Sequence, residues 1–299
     1  MGRIREANKL CSRNDTTRLT RYTIGALDLS TSRRISPYTR AAPEACARAF
    51  SGRVAPVIIL GVIPARLQSS RLPRKVLREI RGVPMVVEVF RQARTSPLLS
   101  DLLVATDSEE VIAVCHDHHV PAVMTRSTHA SGTDRLWEVS RARAADVYVN
   151  IQGDEPLISP AHVERLVRPF LTEPEVQVTT LKIRATLEEV ESRTANKVVT
   201  NVHGDALYFS RLPIPFDRDK RGGIVYWKHI GLYAYRRSVL ETYHSLPPSG
   251  LERAEQLEQL RLLEAGIPIR VLETDQPTIG VDTEEDLRAV EALLSSRSR

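Results

Sequence analysis

The sequence predicts an α/β fold, a mostly parallel sheet flanked by helices with a smaller inserted lobe, on two observations. From residue 57 onward, short apolar runs of strand type alternate with amphipathic stretches of helical period. The strongest polar loops then fall directly after those runs, where open parallel sheets bind their ligands.

The first element is VIILGVI (57–63), a β-branched run too short and too broken to cross a bilayer. The loop PARLQSSRLPRK comes next, then an amphipathic stretch from Val83 to Thr95. LLVAT (102–106) reads as a strand, with Asp107 as a plausible N-cap for a helix over 109–118. A short strand at 121–125, a helix around 133–144 and the strand VYVNI (147–151) complete a strand–helix rhythm that ends in QGDEP. Beyond residue 175 the texture is mixed. Strands are expected near 176–183, 197–202, 206–209, 229–235 and 268–272, with a Pro-rich turn at 213–215. Helices are expected at 236–244 and 251–265 and from Thr283 onward.

Composition narrows the classes. The chain has 299 residues, 42% hydrophobic and 26% charged, which suits a soluble globular protein with its own core. Its net charge of +5 is unevenly spread: residues 1–53 hold eleven Lys/Arg against four Asp/Glu. The remainder, 31 against 33, is nearly neutral, so no broad basic face for nucleic acid is expected, and no membrane partner either. Residues 1–53 read as an N-terminal extension, either unstructured or of the Arg-rich, Ser-rich targeting type, with the folded domain at 54–299. The three cysteines, Cys11, Cys46 and Cys115, form no CxxC pair, which argues against a zinc site or a disulfide framework and fits a cytoplasmic setting.

Three loops carry candidate chemistry. PARLQSSRLPRK gathers Arg66, Arg71, Arg74 and Lys75 after a buried strand, where cations and backbone amides can hold an anion such as a triphosphate. It is neither a Walker A loop nor a GxGxxG fingerprint. NIQGDEP places Asp154 and Glu155 at the end of an apolar strand, either as turn residues or as oxygen ligands for a hard cation. TIGVDTEEDL places Asp282 as a helix cap or as a second carboxylate, for which Asp154 is the natural partner. Polar residues in SGTDRL (131–136), HIGLY (229–233) and ERAEQLEQLRLL (252–263) stand among apolar neighbours, where such residues, taken singly, more often fill a structural role than a ligand role. In that last segment, read as one helix, Glu255, Glu258 and Gln259 fall on neighbouring turns. No nucleophile–base pair stands out and no GxSxG elbow is present, which suits in-line attack of a bound hydroxyl on phosphorus.

Taken in order, IPARLQSSRLPRK, GVPM, VATDSEEV, HASGTDRL, NIQGDEP, ALYFSRLPIP, HIGLYAYRR, LEQLR and GVDTEEDL resemble the 3-deoxy-manno-octulosonate (Kdo) cytidylyltransferase family, the CMP-Kdo synthetases. The resemblance spans about Ile58 to Leu294. It implies CTP bound over the first loop, with Arg66 and Lys75 neutralising the triphosphate and Mg²⁺ as cofactor held by Asp154 and Asp282. It implies that Ser131, Gly132 and Thr133 seat the cytosine and ribose, and that Arg135, Gln152, His229, Tyr233, Glu258 and Gln259 line the pocket of an acidic 3-deoxy sugar. It also implies transfer of CMP to that sugar for lipopolysaccharide biosynthesis, in a cytoplasmic homodimer formed through the lobe. Within the class, a CMP-sialic acid synthetase or an 8-amino-Kdo enzyme is the alternative. Outside it, the alternative is a non-catalytic nucleotide-binding protein. One departure stands out: the loop reads LPRK where the family more often has LPGK.

Overall fold

Alternate residues of the first strand feed two separate cores. In β1 (Ile59–Ala65), Ile59, Ile63 and Ala65 join one apolar cluster while Leu60 and Val62 join another. A strand buried on both faces must lie inside a sheet covered on both sides. Each fully buried aliphatic side chain contributes about 1.5–3 kcal/mol there. The computed structural model describes residues 56–69, 71–129 and 131–297. The extension read at 1–53 lies outside the described residues.

After β1 come a single 3₁₀ turn (Lys75–Leu77) and a two-residue hairpin of β2 (Glu79–Ile80) and β3 (Val83–Pro84), which lead into α1 (Met85–Arg94). Next are β4 (Asp101–Thr106), α2 (Glu109–Asp117), β5 (Ala122–Met124), α3 (Gly132–Ala142) and β6 (Val147–Asn150). A helix that the periodicity reading does not single out, α4 (Pro160–Thr172), precedes β7 (Val178–Arg184) and the short α5 (Leu187–Glu191). β8 (Lys197–Thr200), β9 (Ala206–Ser210) and β10 (Trp227–Arg236) come next, then α6 (Arg237–Ser245), α7 (Gly250–Glu255) and α8 (Gln259–Glu264). β11 (Arg270–Glu273) and α9 (Glu284–Arg297) close the chain.

The sheet runs β11-β7-β10-β6-β1-β4-β5. Only β10 along this path is antiparallel to its neighbours, so the sheet is mixed but mostly parallel. Side chains of α1, α2 and α4 cover one face and those of α3, α6 and α8 the other. The lobe is a branch of this same sheet: β8 pairs with β9 and, at one position, with β10.

Two local expectations are corrected. Ser108, not Asp107, caps α2 by accepting the amide of Val111, because Asp107 is drawn to a buried guanidinium instead. The segment 251–265 is two short helices, not one: Gln256 adopts a left-handed conformation (φ 54°) that ends α7 and turns Leu257 into the core.

Candidate active site

The C-terminal ends of β1 and β6 present two loops at close quarters. A Cβ built on Gly153 would lie 2.9 Å from the carbonyl oxygen of Pro64, so only glycine lets these loops approach as they do. The third loop arrives through the backbone, where the Val281 amide donates to the Asp154 carbonyl at 2.9 Å. Thr283 and Asp286 cap the last helix: the Asp286 carboxylate accepts the amides of Asp282 and Thr283 at 2.9 and 2.8 Å. The side chain of Asp282 is thereby left out of the cap and faces the cleft.

Lys75 joins the three loops. Its ammonium lies 2.5 Å from Asp154 Oδ2 and 2.9 Å from Asp282 Oδ1, while Arg71 meets the other Asp282 oxygen at 2.9 Å. Burial alone pulls the Lys75 ammonium down, but the two carboxylates outweigh it and hold its pKa above the ordinary lysine value. Arg66 is aimed by a 2.9 Å bond to the carbonyl of His129, whose ring in turn meets Glu138. Carboxylates brought this near to one ammonium suit a divalent cation of the hard, oxygen-seeking kind. Among the described residues no cluster of three or more acidic, His or Cys side chains could hold a metal by itself. Two carboxylates with phosphate oxygens and water completing the shell is the Mg²⁺ pattern, and the donor set fits it.

Beside Asp154, Glu155 is partly buried, and its acid is pushed up to about 8 by burial and then by the Asp154 charge. One of its oxygens has no hydrogen-bond partner, and it stands where a Cβ on Gly280 would be 3.2 Å away. It braces the acidic loop against the segment that carries Asp282.

Cavities that share walls open in this cleft. The central one, about 320 Å³, is walled by Arg66, Arg71, Lys75, Asp154 and Asp282. Through Gly132 and Gln152 it opens into a second cavity of about 260 Å³. Through Arg66 and Gln68 it adjoins a third of about 390 Å³, lined also by Asp107.

The second cavity gathers Gly132, Thr133, Gln152, His229, Tyr233, Glu258 and Gln259 from five separate elements or loops. Thr133 donates to Glu258 at 3.1 Å, and burial pushes the Glu258 acid above its usual range. His229 Nε2 meets the Thr180 hydroxyl at 2.9 Å, and burial lowers the imidazole to about 3, so it stands neutral. His229 Nδ1, Gln259 Nε2 and Asn196 Oδ1 are buried without hydrogen-bond partners, a costly state unless a polar ligand completes them. Ser131 stands just outside, capping α3 in a reciprocal box with Asp134.

Arg135 is the exception. It does not line the sugar-type cavity; its side chain is 0% exposed and bonds Asp107 at 2.9 Å and the Thr125 hydroxyl. Two residues along a helix is about 200° of rotation, so if Thr133 faces one cavity Arg135 must face away from it. Sequence reasoning did not single out Asn196, Arg211, Tyr235, Tyr243 and Gln256 as wall residues. Asn150, a polar end to a buried strand, was the one signal that could have found that wall.

Known proteins of similar sequence and structure give the chain a family. The cytidylyltransferase family profile matches residues 60–272. The chain is 56% identical over 241 residues to the 3-deoxy-manno-octulosonate cytidylyltransferase of Acidobacterium capsulatum, covering 81% of this chain and 98% of that one. It is 51% identical over 256 residues to the enzyme of the same name from Koribacter versatilis, covering 86% and 96%. A solved CMP:2-keto-3-deoxy-manno-octonic acid synthetase in complex with CTP superposes with a TM-score of 0.77 at 45% identity, over 80% of this chain and 99% of that one. A putative glucose-1-phosphate thymidylyltransferase from Bacillus anthracis, 17% identical at a TM-score of 0.55 over 79% and 94%, shares the fold. Relatives this similar along nearly their whole length leave one assignment: this chain is a nucleotidyltransferase and belongs to the 3-deoxy-manno-octulosonate cytidylyltransferase family.

Proposed function

We propose that this enzyme transfers CMP from CTP to 3-deoxy-D-manno-octulosonate, releasing pyrophosphate and giving CMP-Kdo for lipopolysaccharide synthesis. The observation that carries the reading is the meeting of Asp154, Asp282 and Lys75 where the phosphate-type cavity opens into one lined by unsatisfied polar groups. An acceptor hydroxyl held in the second cavity points through the Gly132–Gln152 opening at a phosphorus held in the first. Arg211 on the wall of the acceptor cavity suits a carboxylated sugar.

Asp154 and Asp282 would hold Mg²⁺, which supplies charge neutralisation at the phosphate oxygens. Arg66, Arg71 and Lys75 add positive charge on the same side, where negative charge accumulates as the pyrophosphate leaves. Gly132, the first residue of α3, offers its helix N-terminus to anionic oxygen in the central cavity. His229, Gln259 and Glu258 orient the acceptor by hydrogen bonds that its hydroxyls satisfy. No side chain needs to become covalently attached.

The same reading makes the enzyme cytoplasmic and homodimeric. In the lobe Leu207, Leu212 and Phe216 are exposed, Phe216 by 82%, and a second copy would cover them. Light scattering of wild type and Phe216→Glu tests the dimer.

The deciding assay is pyrophosphate release with CTP, Mg²⁺ and Kdo, run beside the 8-amino sugar and sialic acid. Release with Kdo is expected; turnover of sialic acid alone overturns the reading.

A further inference from the structure

Lys197 is 0% exposed and stands at the start of β8. All three N–H groups of its ammonium are used: they donate to the carbonyls of Ser192, Ala195 and Arg211, each at 2.6 Å. Among the described residues it makes no ion pair. A buried ammonium without a carboxylate is unfavourable, and burial pulls its pKa below the ordinary lysine value.

Its place in the sheet gives that charge a use. The β8–β9 ladder ends where Lys197 pairs with Ser210. One residue further on stand Asn196 and Arg211, both on the wall of the acceptor cavity. The Lys197 side chain bridges the two segments where the ladder stops, bonding the Ala195 carbonyl on one side and the Arg211 carbonyl on the other. The Asn196 carbonyl in turn accepts the His229 amide at 2.8 Å, and Asn196 Oδ1 is buried without a partner. Arg211 carries the constraint to another part of the wall. Its Nε donates to the Glu255 carbonyl at 2.7 Å, and Nη2 donates to that of Gln256 at 3.2 Å.

We propose that Lys197 is a positioning residue for the acceptor: it holds the ends of β8 and β9 at the spacing that sets Asn196 and Arg211 around the sugar. Lys197 does not line the cavity and acts only through those neighbours. The inference rests on the CMP-transfer reading above and adds to it the group that shapes the acceptor wall. An apolar side chain of similar length would fill the space but leave three carbonyls without their donor, and the two segments would be free to shift apart. The phosphate side of the cleft, walled by Arg66, Arg71, Lys75, Asp154 and Asp282, shares no bond with Lys197 and should not respond.

The test compares wild type, Lys197→Met and Lys197→Gln in pyrophosphate release, with CTP and Kdo varied separately. Lys197→Met should raise the KM for the sugar about tenfold while the KM for CTP stays the same. Lys197→Gln keeps two donors and should fall between Lys197→Met and wild type. Thermal shifts induced by Kdo and by CTP should show the same split without turnover. In an Asn196→Ala background, Lys197→Gln should raise the sugar KM by less than it does alone, because one group that it positions is gone. A purely structural role would lower the Tm and leave both KM values at those of wild type. That result overturns the inference, as do equal losses toward sugar and CTP or full additivity with Asn196→Ala. If Lys197→Met does not fold, Lys197→Gln is held to the same split. Failure of wild type to release pyrophosphate with Kdo counts against the CMP-transfer reading. Turnover of Kdo by wild type, beside variants with an unaltered sugar KM, counts against this one.

Discussion

The backbone carbonyl of Asp154 accepts the amide of Val281 at 2.9 Å, tying together loops that lie more than a hundred residues apart. That bond makes Asp282 a neighbour of Asp154, and Lys75 lies between their carboxylates. Asp154→Asn and Asp282→Asn should each lower turnover by about a hundredfold to a thousandfold, with a raised Mg²⁺ requirement. Gln259→Ala, which removes one acceptor contact, should act mainly on the KM for the sugar. Steady-state pyrophosphate release at varied Mg²⁺ separates the two patterns.

Lys75 bonds both carboxylates, and Arg71 shares Asp282 with it. Lys75→Met should leave them facing each other with only Arg71 opposite Asp282, while turnover falls for want of a phosphate contact. Mg²⁺ alone should then raise the Tm of the variant more than that of wild type, read by thermal melts with and without the ion.

Much of this site was legible because the strands that carry it are apolar throughout. VIILGVI and VYVNI announce buried strands, and the loop at the C-terminal end of a buried strand in a parallel sheet faces the ligand. Arg135 was not legible, since SGTDRL does not say which way its helix is turned. Nor was the break at Gln256, because ERAEQLEQLRLL keeps helical period across the point where tertiary packing of Leu257 overrides it. The helix at Pro160–Thr172 carries Pro169 inside it, a residue that ordinarily argues against a helix.

Arg74 explains the departure in the LPRK loop. Its backbone is left-handed, φ 56° and ψ 32°, a region that favours glycine. Its guanidinium reaches Glu110, an exposed pair that contributes little, and not the central cavity. Arg74→Gly should therefore raise stability by about 1 kcal/mol while kcat stays the same, measured by urea unfolding beside the activity assay.

Gly153 marks the opposite case. A methyl group there would meet the Pro64 carbonyl at 2.9 Å, backbone against backbone, with no flexible atom to yield. Gly153→Ala should cost about 1–3 kcal/mol and should part the two loops that carry Arg66 and Asp154. Unfolding curves give the first effect and the Mg²⁺ dependence of turnover the second.

His229 gives the fold a defined acid response. Burial holds its imidazole at about 3 against an ordinary 6.5, so the folded protein keeps it neutral while the unfolded chain takes up a proton below 6.5. Between those values the unfolded state binds one more proton than the native state, so stability rises with pH at about 1.4 kcal/mol per unit. The contribution is intact above pH 6.5 and lost as pH falls toward 3. At pH 5 wild type should have lost about 2 kcal/mol from this group alone. His229→Gln carries no such proton, so the gap between variant and wild-type unfolding free energies should close or reverse on going from pH 7 to pH 5. A gap that stays constant across that range would mean that the imidazole is protonated in the folded protein.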